Sequence, residues 1–276
     1  MKQFGLLGHP LGHSMSPFIH GELFKIKNAE ASYGLFDVVP QDLASQSKNL
    51  LALDGFNITI PYKKEIIKYI DCLDDTAARY NSVNVVKTGK KNIGYNTDVT
   101  GFLKSVETMG ASLNGKVLML GCGGVAQMMG AETVLAGGEL TVAVRNLNEG
   151  KLLALESLWR NLDGNAKINF IDIAKIDGKF DVMLNATPVG MYPNIDASPA
   201  SEEVVANCSY VFDAIYNPKD TLLSQYAKKH NVKCVTGMEM LVRQAVEAQT
   251  IWNNFIYTES EIQTLIEKAN NRLEKK

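Results

Sequence analysis

Lys116-Val117-Leu118-Met119-Leu120-Gly121-Cys122-Gly123-Gly124-Val125-Ala126 decides the fold of this chain. The unbroken apolar run Val117–Leu120 reads as a strand buried on both faces, the kind found in parallel sheets. It runs straight into G-x-G-x-x-A, and a helical segment follows to Leu135, closed by Gly137-Gly138. Gly121 permits a tight turn, Gly123 lets backbone approach a pyrophosphate, and Ala126 leaves room for helix to pack on strand. Gly124 and Val125 complete the loop, and the helix start offers unpaired N–H groups and a positive dipole end to phosphates. The plain alternative is a glycine-rich turn without a ligand. The strand before the loop and the helix after it argue for the nucleotide.

The next strand, Leu140 to Val144, ends in Arg145-Asn146. An NAD-binding unit would usually place Asp or Glu there for the ribose 2′-OH. An arginine instead suits a 2′-phosphate, so Arg145 predicts NADP over NAD. The competing role for Arg145 is an ordinary exposed loop residue.

Working outward, strand and helix signals alternate almost throughout, which predicts an α/β fold with largely parallel sheets. Upstream strands are expected at Phe4–Gly8, Ser32–Val38 and Gly55–Ile60, with a hairpin of Val83–Lys87 and Asn92–Tyr95 around Gly89. Pro17 opens a helix with Ser16 as its N-cap. A second helix is expected from Thr100 to about Met109, ended by Gly110. Downstream strands are expected at Ile168–Ile171, Val182–Asn185, Tyr210–Ala214 and Val232–Val235. After Gly237, residues Leu241, Ala245, Ala248, Trp252 and Phe255 form one helical stripe, with Gln244 at its edge. Thr258-Glu259-Ser260-Glu261 signals a capping box for a last helix that turns Ile262, Leu265, Ile266 and Ala269 inward. The main boundary falls near Gly101. That gives one domain of residues 1–100 and another of 101–237, with the helices of 238–276 returning to the first.

The bulk properties narrow the function. The chain has 276 residues, 46% hydrophobic, with Lys+Arg 28 against Asp+Glu 30. A net charge of -2 leaves no basic excess for nucleic acid, and no apolar run is long enough for a membrane span. Lys275-Lys276 reads as a solvated end. Cys72, Cys122, Cys208 and Cys234 form no Cys-x-x-Cys pair, which suggests a reducing, cytoplasmic setting. His9, His13, His20 and His230 lack metal-ligand spacing, so no metal is expected. His13 reads as a structural hydrogen-bonder and His20 as a packing or surface residue.

Two polar clusters stand out. In Gly55-Phe56-Asn57-Ile58-Thr59-Ile60-Pro61-Tyr62-Lys63, Asn57 and Thr59 leave one strand face, Pro61 ends the strand, and Lys63 follows. The second is Gly94-Tyr95-Asn96-Thr97-Asp98. An amide, hydroxyls, an amine and a carboxylate suit a small hydroxyl-rich ligand and a proton transfer. The plain reading of the first cluster is an amphipathic edge strand with a solvated lysine. Gly12-His13-Ser14-Met15-Ser16 nearly spells a hydrolase elbow, but the second glycine is missing.

These segments, in order, resemble the shikimate dehydrogenase family over nearly the whole chain. Gly8 through His20, Gly55–Lys63, Gly94–Asp98, Gly121–Ala126, Asn185-Ala186-Thr187-Pro188-Val189-Gly190-Met191, Tyr216-Asn217-Pro218 and Gly237 through Gln244 carry the likeness. The resemblance implies two α/β domains with a cleft between them, an N-terminal substrate domain and a Rossmann-type NADP domain. It implies NADPH-dependent reversible reduction of 3-dehydroshikimate to shikimate, with a small-molecule partner, in a monomer or homodimer. Ser14 and Ser16 would bind the substrate carboxylate with help from Tyr216, and Thr59 would lie alongside. Asn57, Asn84, Asp98 and Gln244 would hold ring hydroxyls. Lys63 and Asp98 would form the acid/base pair, either of them carrying the proton. Asn185, Thr187 and Gly237 would lie near the nicotinamide.

The chain departs from the family pattern at Val144 and Asn146, Val85, Gln127-Met128 and Glu239. None of these touches Lys63 or Asp98. A quinate/shikimate dehydrogenase using NAD(P), and a non-catalytic shikimate-type ligand sensor, remain open beside the main reading.

Overall fold

The computed structural model describes residues 1–12, 14–147 and 150–274. The expectations for His13 and for Lys275-Lys276 lie outside the described residues. The chain divides into two compact units, Met1–Gly101 with Leu241–Arg272, and Phe102–Met240 with Leu273–Lys276.

The first unit runs β1 (Lys2–Gly8), α1 (Ser16–Ile26), β2 (Ala31–Asp37), α2 (Leu43–Leu50), β3 (Gly55–Ile58), β4 (Cys72–Leu73), α3 (Asp75–Tyr80), β5 (Val85–Lys87) and β6 (Ile93–Tyr95), then enters α4 (Thr97–Met109). Its sheet has the order β2-β1-β3-β5-β6-β4. Strand β1 lies parallel to β2 and β3, whereas β5 is antiparallel to both β3 and β6. Successive strand residues face opposite sides. Val86 joins Leu7, Phe56 and Ile58 in one apolar cluster, and Val85 joins Phe4, Phe24 and Trp252 in another. The sheet is therefore covered on both faces.

The second unit continues with β7 (Lys116–Leu120), α5 (Ala126–Leu135), β8 (Glu139–Val144), α6 (Gly150–Leu162), β9 (Ile168–Asp172), β10 (Phe180–Asn185), α7 (Glu202–Ala206), β11 (Cys208–Asp213), α8 (Leu222–Lys229) and β12 (Lys233–Thr236). All six strands are parallel, in the order β12-β11-β10-β7-β8-β9. Counted from β7, this is the 3-2-1-4-5-6 order of doubly wound dinucleotide-binding sheets. The chain returns to the first unit within α9 (Gly237–Asn253) and ends with α10 (Glu259–Leu273). The capping box forms as expected: Thr258 N–H donates to Glu261 Oε2 at 2.7 Å, and Glu261 N–H to Thr258 Oγ1 at 3.2 Å.

Several boundaries differ from expectation. Strand β3 stops at Ile58, two residues early, so Ile60 is not an inward strand residue but 70% exposed. Ser16 is the first residue of α1 rather than its cap; the Ser16 N–H instead meets the Ser14 hydroxyl at 3.2 Å. Helix α4 starts at Thr97 rather than Thr100, which puts Asp98 in its first turn. Helix α9 ends at Asn253, because Asn254 turns left-handed (φ 55°), so Phe255 falls outside the stripe.

Gly55 marks the closest approach in the first unit. A Cβ there would lie 2.4 Å from Trp252 Nε1, which donates to Val86 O at 2.9 Å. Gly55→Ala should therefore lower the free energy of unfolding by about 1–3 kcal/mol, the usual effect of overpacking. Urea denaturation checks this, and an unchanged midpoint would show that the indole moves freely.

Candidate active site

Lys63 and Asp98 come together in the first unit. Lys63 Nζ lies 2.6 Å from Asp98 Oδ2, with the two side chains 31% and 21% exposed. The turn between β3 and Lys63 is pinned from both sides. Tyr62 is buried and donates to Val38 O, and Val83 N–H donates to Lys63 O at 2.7 Å. Asp98 owes its position to the early start of α4. The first N–H groups of a helix need outside acceptors. Asn84 supplies one: its Oδ1 accepts from Thr97 N–H at 2.7 Å, while its Nδ2 donates to Asp98 Oδ1 at 2.9 Å. The carboxylate is thus divided between Lys63 and Asn84.

The remaining amides close in around this pair. Gln244 on α9 is buried, and its Oε1 sits 3.5 Å from Asn84 Nδ2 and from Thr97 Oγ1. Asn57 donates through Nδ2 to Asn84 O at 3.3 Å and accepts from the Tyr33 hydroxyl at 2.8 Å. Thr59 follows β3, with its N–H on Leu7 O at 2.9 Å. Ser14 and Ser16 lie partly buried at the start of α1. Amide donors and acceptors beside a partly open ammonium–carboxylate pair can orient hydroxyls and exchange one proton.

The second unit offers a separate crevice at the switch point of its sheet, above β7 and β10. Gly121 has φ 87°, and a Cβ on it would lie 2.6 Å from Thr187 Cγ2. Gly123 and Gly124 are exposed, Val125 is half-buried, and Ala126 is fully buried against the sheet. Helix α5 has no side-chain cap and no acidic residue in its first turn. Open glycine backbone leading to an uncapped helix start fits a dinucleotide pyrophosphate. Arg145 is exposed just past the end of β8.

Asn185 is fully buried, so it shapes this crevice from beneath. Its Nδ2 donates to Asp213 Oδ1 at 2.9 Å, and its Oδ1 accepts from Thr187 N–H (2.9 Å) and Oγ1–H (2.7 Å). Asp213 also accepts from Ile215 N–H at 3.1 Å and Thr221 Oγ1 at 2.6 Å. Burial pushes its carboxyl pKa up, and these three donors oppose that shift. Gly237 opens α9 against the backbone of Ala214 and Ile215, with its N–H on Ile215 O at 3.0 Å. Tyr216 follows in the second unit, half-buried, and burial raises its phenol pKa. Among the described residues, no group of three or more His, Cys, Asp and Glu is placed to hold a metal, and no helix is long and apolar enough to cross a membrane.

Sequence reasoning gave no role to Thr97, Asp213 or Tyr33, and read His20 as a packing or surface residue. His20 is fully buried and stacks on Tyr33, with centroids 4.4 Å apart. Its spacing from Ser16, one helical turn, was the available signal. Burial lowers its pKa to about 3 from the ordinary 6.5, despite an opposing contact with Asn57. The unfolded chain therefore binds the extra proton first, and His20's contribution to stability is lost as pH falls below 6.5. Between pH 7 and pH 5 wild type should lose about 2 kcal/mol more than His20→Asn. Chemical unfolding at the two pH values checks this, and equal losses would contradict it.

A doubly wound dinucleotide sheet, with a lysine–carboxylate pair on a separate unit, defines a dinucleotide-dependent oxidoreductase. Residues 6–86 match the family model described as shikimate dehydrogenase substrate binding domain. A shikimate dehydrogenase (NADP(+)) of Caldanaerobacter subterraneus subsp. tengcongensis is 38% identical over 258 residues, 91% of each chain. The crystal structure of a chorismate mutase/shikimate 5-dehydrogenase fusion protein from Clostridium acetobutylicum superposes with a TM-score of 0.87 at 32% identity, covering 99% of this chain and 98% of that one. The shikimate 5-dehydrogenase of Thermus thermophilus, in complex with NADP(H) and shikimate, gives 0.84 at 28% identity, covering 98% and 100%. The chain belongs to the shikimate dehydrogenase family.

Proposed function

We propose that this protein interconverts 3-dehydroshikimate and shikimate with NADP(H), the reaction of its family in aromatic amino-acid biosynthesis. The observation that carries the reading is the Lys63–Asp98 contact of 2.6 Å, locked by Asn84. NADPH supplies the hydride when bound, and its oxidised form takes it back. Every other role falls to the chain. Lys63 gives a proton to the ketone oxygen and recovers it in reverse. Asp98 holds the Lys63 ammonium and accepts from a ring hydroxyl. Asn57, Asn84 and Gln244 fix the remaining hydroxyls. Ser14, Ser16 and Tyr216 take the carboxylate, with Thr59 beside them.

The same proposal assigns Gly121, Gly123, Gly124, Val125 and Ala126 to the pyrophosphate and Arg145 to the 2′-phosphate. Thr187 and Gly237, with Asn185 beneath, border the nicotinamide. The unit of Met1–Gly101 with Leu241–Arg272 serves as the substrate domain, and Phe102–Met240 as the cofactor domain, each boundary within a few residues of the sequence expectation. The protein works in the cytoplasm as a monomer or homodimer.

Nicotinamide absorbance, with shikimate and quinate crossed against NADP and NAD, tests the reaction. Turnover should be fastest with shikimate and NADP. Preference for quinate or NAD would move the reading to a quinate/shikimate enzyme, and binding without turnover would favour a sensor. Lys63→Ala should lower kcat about 10²–10⁴-fold, the usual effect of losing a general acid. Near-full turnover in that variant would remove Lys63 from the proton step. Arg145→Ser should weaken NADP roughly 10- to 100-fold and spare NAD, as for one charged hydrogen bond. Equal losses with both cofactors would contradict the 2′-phosphate contact.

A further inference from the structure

A polar chain runs from Lys2 at the surface to the buried His20, whose ring stacks on Tyr33, and none of the steps above uses it. Lys2 Nζ donates to Asn253 Oδ1 at 2.8 Å, and Asn253 Nδ2 donates to Gln249 Oε1 at 2.9 Å. With its oxygen occupied, Gln249 turns its Nε2 toward His20 Nδ1, 2.9 Å away. His20 therefore accepts at Nδ1 and carries its proton on Nε2. Gln249 and His20 are both 0% exposed, and among the described residues His20 Nε2 has no hydrogen-bond partner.

That unused donor belongs to a ring stacked on Tyr33 at an interplanar angle of 8°. The stack fixes the phenol, whose hydroxyl donates to Asn57 Oδ1 at 2.8 Å. Asn57 Oδ1 carries no hydrogen, so the phenol proton lies on this bond. A primary amide is nearly symmetric in shape, so its neighbours decide which end is oxygen. Here the Tyr33 hydroxyl donates to Asn57 Oδ1, and Nδ2 holds Asn84 O at a long 3.3 Å.

We infer that Tyr33 and His20 are positioning residues that lock the Asn57 amide with its oxygen toward them, leaving the N–H₂ end to select a ligand hydroxyl through that hydroxyl's oxygen. The reading rests on the proposed reaction only for the identity of the ligand. Without the lock, only the long contact with Asn84 O orients the amide, and it turns its oxygen to the ligand more often. A hydroxyl still binds, but more weakly. Chemistry at Lys63 is untouched.

The test is a double-mutant cycle of Tyr33→Phe and Asn57→Ala. Tyr33→Phe should raise KM for shikimate about 3- to 10-fold, the effect of one neutral hydrogen bond. It should leave kcat and the KM for NADP unchanged. In the Asn57→Ala background the same change should add less than about twofold, because its target is gone. His20→Asn should follow the same pattern. An equal effect in both backgrounds, or a loss shared with NADP, would overturn the inference. Wild-type protein that does not turn over shikimate would instead overturn the reaction. The lock is then read without turnover, from the Asn57 side-chain amide resonances of the free protein. They should shift in Tyr33→Phe, and unchanged resonances would overturn the inference.

Discussion

Asn84 engages every hydrogen-bonding group it has, and the polar site depends on it. Its N–H donates to Tyr95 O at 3.0 Å, and its carbonyl accepts from Ile58 N–H at 2.8 Å and from Asn57 at 3.3 Å. Its side-chain oxygen takes the Thr97 N–H, and its side-chain nitrogen reaches Asp98. One residue thus ties β3, β6 and the start of α4 together. Asn84 is almost wholly buried, and an unpaired amide there would cost roughly 1–3 kcal/mol. The same contacts that satisfy this amide hold Asp98 against Lys63. Stability and the geometry of the Lys63–Asp98 pair have one origin.

Asp213 has the corresponding part in the second unit. A single buried carboxylate collects donors from Asn185, Ile215 and Thr221, and so joins the turn after β10 to the segment after β11. Through Asn185 it sets the Thr187 turn that crowds Gly121. The three donors that face this carboxyl offset the cost of burying it. In each unit, one buried polar residue converts a sheet edge into a shaped loop.

Much of this was legible in the sequence. The apolar run of Val117–Leu120, the glycine loop and the uncapped helix after it lie within consecutive residues, so local pattern sufficed. Lys63 and Asp98 stood out because charged residues ended polar clusters. Several misreadings come from partners distant in the sequence. Helix α4 begins at Thr97 because Asn84, thirteen residues upstream, accepts its first N–H. No local cap announces that. Ser14 rather than a Ser16 cap meets the first N–H of α1. His20 and Tyr33 looked like ordinary helix and strand residues, since stacking between elements leaves no periodic trace. Asp213 was read as the end of an apolar strand, and its donors come from up to 28 residues away.

The central claim is that Asn84 places the Lys63–Asp98 pair for proton exchange with a hydroxyl ligand. The most direct measurement is kcat for shikimate oxidation by Asn84→Ala, beside its NADP affinity. A misplacement of about 1 Å can cost on the order of 10²-fold in rate. The account predicts a loss of that order in kcat with NADP affinity unchanged. Full turnover by the Asn84→Ala protein would contradict it.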